Sequence, residues 1–123
     1  MSTMEETLYN TEGQAVAYIA YGDEETIYMW NGKPVAYIDG YDIYGFNGKH
    51  LGWYESGVVR DHDGYITGFN MEAANVFLAF EPFKAFKQFK PFKSFKEFAP
   101  FKPFYHSTVS QITLDGFLMQ GAI

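Results

Sequence analysis

Ile27–Ile38 reads IYMWNGKPVAYI, and Ile43–Tyr54 reads IYGFNGKHLGWY. The same frame recurs upstream as LYNTEGQAVAYI from Leu8 and downstream as VRDHDGYITGFN from Val59. The aligned glycines are Gly13, Gly32, Gly48 and Gly64, at spacings of 19, 16 and 16 residues. Self-similarity of this kind marks a repeat in which each copy is one supersecondary unit. Each glycine follows Glu12, Asn31, Asn47 or Asp63. Asn-Gly and Asp-Gly between β-branched and aromatic residues signal two-residue hairpin turns, because both turn positions take positive φ. The sequence therefore predicts four β-hairpins and an all-β domain over residues 8–75.

Such turns assign faces. Tyr28 falls opposite Val35, and Ile27 opposite Ala36. One face then collects Tyr9, Tyr28, Tyr44, Trp30 and Phe46 with Val16, Val35 and Leu51, and carries the column Tyr18, Tyr37, Trp53 and Phe69. The other collects Leu8, Ile27, Ile43 and Val59, the small residues Ala17, Ala36, Gly52 and Gly68, and Ile19, Ile38 and Tyr54. Both faces are apolar, whereas a sheet wetted on one side alternates, so cover on both sides is expected. Four small residues at equivalent places mark either backbones converging near a pseudo-fourfold axis or a seat for another element.

A second pattern follows the hairpins. Ten phenylalanines occupy every third position from Phe77 to Phe104. Period three fits neither a strand nor an α-helix, and Pro82, Pro91, Pro100 and Pro103 forbid a continuous helix. Polyproline II has three residues per turn. Residues 76–105 thus read as an extended arm of roughly 85 Å at ~3.1 Å per residue. It has a Phe edge, a Lys edge (Lys84, Lys87, Lys90, Lys93, Lys96 and Lys102) and a mixed third edge. A nine-residue unit, PFKAFKQFK then PFKSFKEFA, overlies the triplets. A row of phenyl rings is expected to dock, and its nearest seat is the hairpin domain, of this chain or of a neighbour. The assigned contact residues are Phe83, Phe86, Phe89, Phe92, Phe95, Phe98 and Phe101.

Charge favours that docking. Residues 1–75 hold three basic residues against twelve acids, and residues 76–105 hold six lysines against two acids, within a net charge of −6. Opposite fields draw the two parts together, while the acidic body repels phosphates, so nucleic acid is not the expected partner. Without cysteine, thiolate metal sites and disulfides are excluded. No apolar run reaches the ~20 residues that span a bilayer, and the acidic start MSTMEET does not resemble a secretory signal. A cytoplasmic protein is the default.

Residues 8–72 resemble a bacterial family described as four-fold β-flower domain proteins, notably in YNTEGQAVAYI, MWNGKPVAYI and FNGKHLGW. The resemblance implies four hairpins in a flower-like or shallow barrel arrangement, a Pro-rich period-three basic segment, and a short Leu/Phe ending to which LDGFL at 114–118 is similar. This chain departs in its Phe-Lys triplets and in its fourth copy, where Arg60 and Thr67 replace the aromatic and aliphatic residues. No biochemical function comes with the resemblance.

Polar residues point to no reaction. Asp61-His62-Asp63-Gly64 has the opening of a calcium loop but reads as the fourth hairpin turn. His50, His62 and His106 match no zinc spacing, and Ser56, Ser107 and Ser110 lack a paired base. No catalytic, metal or cofactor residue is assigned. The expected function is a non-enzymatic interaction or self-assembly module, its partner a second copy or another protein. The alternative is a module that binds a sugar, quaternary amine or lipid on Tyr18, Tyr37, Trp53 and Phe69, rings suited to stacking and cation–π contact. Residues 106–123 read as a short apolar tail, strand or helix, capping the arm.

Overall fold

A computed structural model describes residues 4–123. Eight strands follow in order: β1 (Glu5–Asn10), β2 (Ala15–Ala20), β3 (Thr26–Met29), β4 (Pro34–Asp39), β5 (Asp42–Gly45), β6 (His50–Glu55), β7 (Val58–Arg60) and β8 (Ile66–Phe69). Every neighbouring pair is antiparallel, and β8 returns to β1 through Tyr9–Phe69 and Asn10–Gly68, closing a barrel. Closure removes both sheet edges, so no strand is left with an unpaired row of backbone groups. The four hairpins are what the repeats predicted, and the barrel agrees with the flower-like or shallow-barrel arrangement that the family resemblance implied.

The turns differ from the expected kind. Gly13, Gly32, Gly48 and Gly64 have φ of 87° to 92°, but the residues before them do not share positive φ. Gly13 N donates to Asn10 O at 3.0 Å and Asn10 N to Gln14 O at 2.9 Å, and the other three tips repeat this pattern. This is a type I turn followed by one left-handed residue, which makes a bulge. The turn needs positive φ only at its glycine, so Glu12-Gly13 serves as well as Asn31-Gly32.

The bulge corrects the register. Ile27 does pair with Ala36, but Tyr28 pairs with Pro34 and Val35 is the extra residue. Val16, Leu51 and Thr67 are skipped in the same way. A bulge re-aims the side chain it frees. Val35 and Leu51 therefore join the interior with Leu8, Ala17, Ile19, Ile27, Ala36, Ile43 and Val59, and Val16 packs against that cluster. Thr67 stays buried by donating its hydroxyl to Val59 O at 3.2 Å.

Both ends of the barrel are filled. The tail forms α1 (Leu114–Met119), N-capped by Thr113, and Leu114, Phe117 and Leu118 are buried in the interior cluster. The small-residue column is its seat: a Cβ on Gly52 would lie 2.8 Å from the Phe117 ring, and one on Gly68 2.8 Å from Leu114 Cδ2. The same Cβ atoms would meet Arg60 O and Tyr9 O, so neighbouring backbones also converge there. The tail thus plugs the barrel rather than capping the arm. At the opposite end Glu6 accepts from Tyr21 Oη at 2.6 Å, Tyr54 Oη at 2.7 Å and Asn70 Nδ2 at 3.0 Å. Burial raises the Glu6 pKa, but these three donors outweigh it and hold the carboxyl below its ordinary value. The lumen is filled by aliphatic side chains and the Phe117 ring. No helix among the described residues is long and apolar enough to cross a membrane.

Candidate functional site

Residues 77–106 lie in neither helix nor strand and pass around the outside of the barrel along the four hairpin tips. Ala79 N donates to Gly13 O, Gln88 N to Gly32 O and Glu97 N to Gly48 O, each at 2.9 Å, and His106 N donates to Gly64 O at 3.1 Å. The donors are nine residues apart, so one nine-residue unit spans one hairpin pitch. In the same register Phe77, Phe86, Phe95 and Phe104 press their carbonyls on the tip glycines. A Cβ on any of these glycines would sit 2.0 to 2.1 Å from that oxygen. Ala85 N and Ser94 N add bonds to Trp30 O and Phe46 O. Pro103, next in the nine-residue series, has no N–H to give.

The lysine edge faces the barrel. Lys84 and Lys87 share Glu5 at 2.6 and 2.7 Å, and Lys90 bridges Asp23 and Glu24 at 2.6 and 2.9 Å. Lys96 pairs with Asp39, and Lys102 with Glu55 at 2.8 Å. Lys84 Nζ also lies 4.3 Å from the Tyr18 ring centre, and Lys93 Nζ 4.2 Å from that of Tyr37. Partial burial raises the Glu5 pKa, yet hydrogen bonds from Lys84 and Lys87 carry it below the usual carboxylate value. Asp23 behaves likewise through Lys90 and Tyr28, while Glu24 and Glu55 are lowered chiefly by their hydrogen bonds to Lys90 and Lys102. Glu81, one triplet before Lys84 on the same edge, accepts from Tyr9 Oη at 2.8 Å, and burial together with that carboxylate pushes the Tyr9 pKa up to about 12.

The phenylalanine edge does the opposite of what its composition suggested. All ten rings, Phe83, Phe86, Phe89, Phe92, Phe95, Phe98 and Phe101 among them, are 89% to 103% exposed. The arm docks on its own hairpins, but through backbone hydrogen bonds and lysines. The physical reason is geometric. The barrel wall offers carbonyls at its tips and carboxylates beyond them, and a three-edged rod that satisfies both has only its third side left for the rings.

The four candidate ligand-binding aromatics are distributed over four hairpins; Tyr18 has its own cluster, whereas those of Tyr37 and Trp53 join through Tyr44 and His50, whose rings lie 5.1 Å apart. Tyr18 stacks on Tyr28 at 5.6 Å with the edge of Trp30 at 5.8 Å. Tyr37 packs with Tyr44 at 6.2 Å and Phe46 at 5.6 Å, and Trp53 with His50 at 5.0 Å and His62 at 5.8 Å. Phe69 is buried at the barrel seam opposite Tyr9. On the second, third and fourth tips one residue (Trp30, Phe46, His62) packs on the aromatic of the preceding hairpin. An open groove of about 710 Å³ runs between β4 and the arm beside Tyr37, with Lys93 and Phe95 on its rim.

Folding also joins polar residues that spacing did not connect. His50 Nε2 lies 2.9 Å from Asp42 Oδ1 and His50 Nδ1 3.0 Å from His62 Nε2, with the two imidazoles stacked. His106 stacks on Tyr65 at 4.6 Å. The only sequence signal for the His50–His62 pair was the repeat frame, which puts one beside its own tip and the other on the next. Asp61 closes its turn, as expected: its Oδ1 accepts from Asp63 N and Tyr65 N, and its Oδ2 accepts from Ser110 Oγ.

The model of the 4-fold beta flower protein family matches residues 6–118. No curated protein and no solved structure matches the chain. The chain belongs to the 4-fold beta flower family.

Proposed function

From that membership, and from a barrel closed and filled at both ends, we propose that this 4-fold beta flower protein is a non-enzymatic interaction module. Its contact surface is the row Phe83, Phe86, Phe89, Phe92, Phe95, Phe98 and Phe101. One observation carries the reading: the rings are solvated although the rest of the arm is secured at each tip. A typical monomer exposes a largest apolar patch of roughly 300–600 Å². Ten phenyl groups at ~150 Å² each present on the order of 1,500 Å², about twice the ~800 Å² that one partner contributes to a standard interface. The arm is ordered before any partner arrives, so association bears little further cost in backbone entropy.

The test places a photo-crosslinking phenylalanine analogue at Phe89 in living cells. An adduct heavier than the monomer is expected there, and none from the same probe at Tyr41, exposed but off the arm. Adducts at Tyr41 and not at Phe89 would refute the assignment. One observation favours the small-ligand reading: the Tyr18 and Tyr37 rings already hold lysine ammonium groups. A quaternary amine would compete with Lys84 and Lys93 for those faces.

A further inference from the structure

We infer that the partner which fits the phenylalanine belt is a second copy of the same belt. This rests on the interaction reading and adds the identity of the partner. The ring row is a comb: at three residues per turn its teeth stand ~9.3 Å apart. A tooth from a second comb entering each gap would place ring centres ~4.7 Å from both neighbours, inside the roughly 4.5–7 Å range that aromatic pairs prefer. The surface with that period is the belt itself.

Charge points the same way. Lys84, Lys87, Lys90, Lys96 and Lys102 are paired with acids of their own chain. That leaves little positive charge for an anionic lipid surface or a nucleic acid, and the chain carries −6 overall. Shape argues against a bilayer too. With one unit per hairpin and four hairpins per turn, Phe83 and Phe101, two units apart, lie on opposite sides of the barrel. A flat surface meets only a few rings of such a fan at once. One neighbour is limited in the same way, so rings remain for others and assembly continues past the dimer. Because the copies repel one another weakly through their net charge, salt strengthens the contact.

The experiment measures solution mass by light scattering over a range of concentrations, at low and high salt. It compares the full chain with a variant carrying Phe83→Ser, Phe86→Ser, Phe89→Ser and Phe92→Ser. These rings touch nothing in their own chain, so circular dichroism and the unfolding midpoint of the variant should match the parent. The parent is expected to exceed twice 14.1 kDa and to grow with salt. The variant should associate on the order of a hundredfold more weakly. A parent that stays monomeric while Phe89 still crosslinks to another protein overturns the second copy and keeps the interaction surface. A monomer that floats with phosphatidylcholine vesicles, and does so only with its phenylalanines, replaces the second copy by a lipid surface. A variant that assembles as strongly as the parent refutes both readings.

Discussion

Gly32 holds φ at +92°, and a Cβ there would lie 2.0 Å from Phe86 O. Gly40 has φ of +66° with open space around it. Alanine in the left-handed region costs about 1–2 kcal/mol. Gly40→Ala is therefore expected to lose roughly that, and Gly32→Ala clearly more, because it must also push the arm's backbone away. Urea unfolding of the two variants measures the difference. Trp53 is 2% exposed against His50 and His62, and Trp53→Ala should lose about 3–5 kcal/mol on the same scale. The glycines were legible because few other residues reach their backbone angles. The bulge beside them was not, since Asn-Gly suits two turn types and only the hydrogen bonds formed decide between them. That single extra residue moved Val35 and Leu51 from the expected aromatic face to the aliphatic one that fills the core.

The helix α1 and the arm are elements with contrasting legibility. Phe117 is 1% exposed inside the barrel, and Phe117→Ala is expected to cost about 3–5 kcal/mol, read from thermal or urea melts. The apolar residues of the tail were visible in the sequence, but their destination was not: the seat is assembled from glycines and alanines on several hairpins. The arm's period was equally plain, yet its orientation was not, because composition alone ranks phenylalanine as the edge to bury. What decided otherwise was an array of carbonyls and carboxylates at matching spacing on the barrel. Those carboxylates set a pH dependence. Glu5, Asp23, Glu24 and Glu55 have folded pKa values below their unfolded ones, ~4.3 for Glu and ~3.9 for Asp. Their stabilisation is whole above those unfolded values and lost as pH falls through the folded ones. Acidification below about pH 4 should therefore loosen the arm, seen as a shift of the Trp30 indole N–H resonance, whose proton is held by Pro82 O at 3.0 Å.

At the scale of the whole molecule, a closed barrel and a belt in register with it make one exchange pattern. Amide hydrogens bonded to the tips recur at Ala79, Gln88, Glu97 and His106, with Ala85 and Ser94 between them. Hydrogen exchange followed by NMR should show slow amides at these positions in an arm that is otherwise fast. Uniform fast exchange along the arm would mean that it leaves the barrel most of the time.

The sequence by itself determined the four hairpins and the threefold character of the arm. Those features depend on local rules: glycine angles, side-chain alternation and the period of a rod. Only the tertiary structure decided which residues fill the barrel, where the tail goes and which edge of the arm faces water. Each of these depends on groups from distant parts of the chain meeting at fixed distances. The nine-residue unit matches one hairpin pitch only after the barrel has closed.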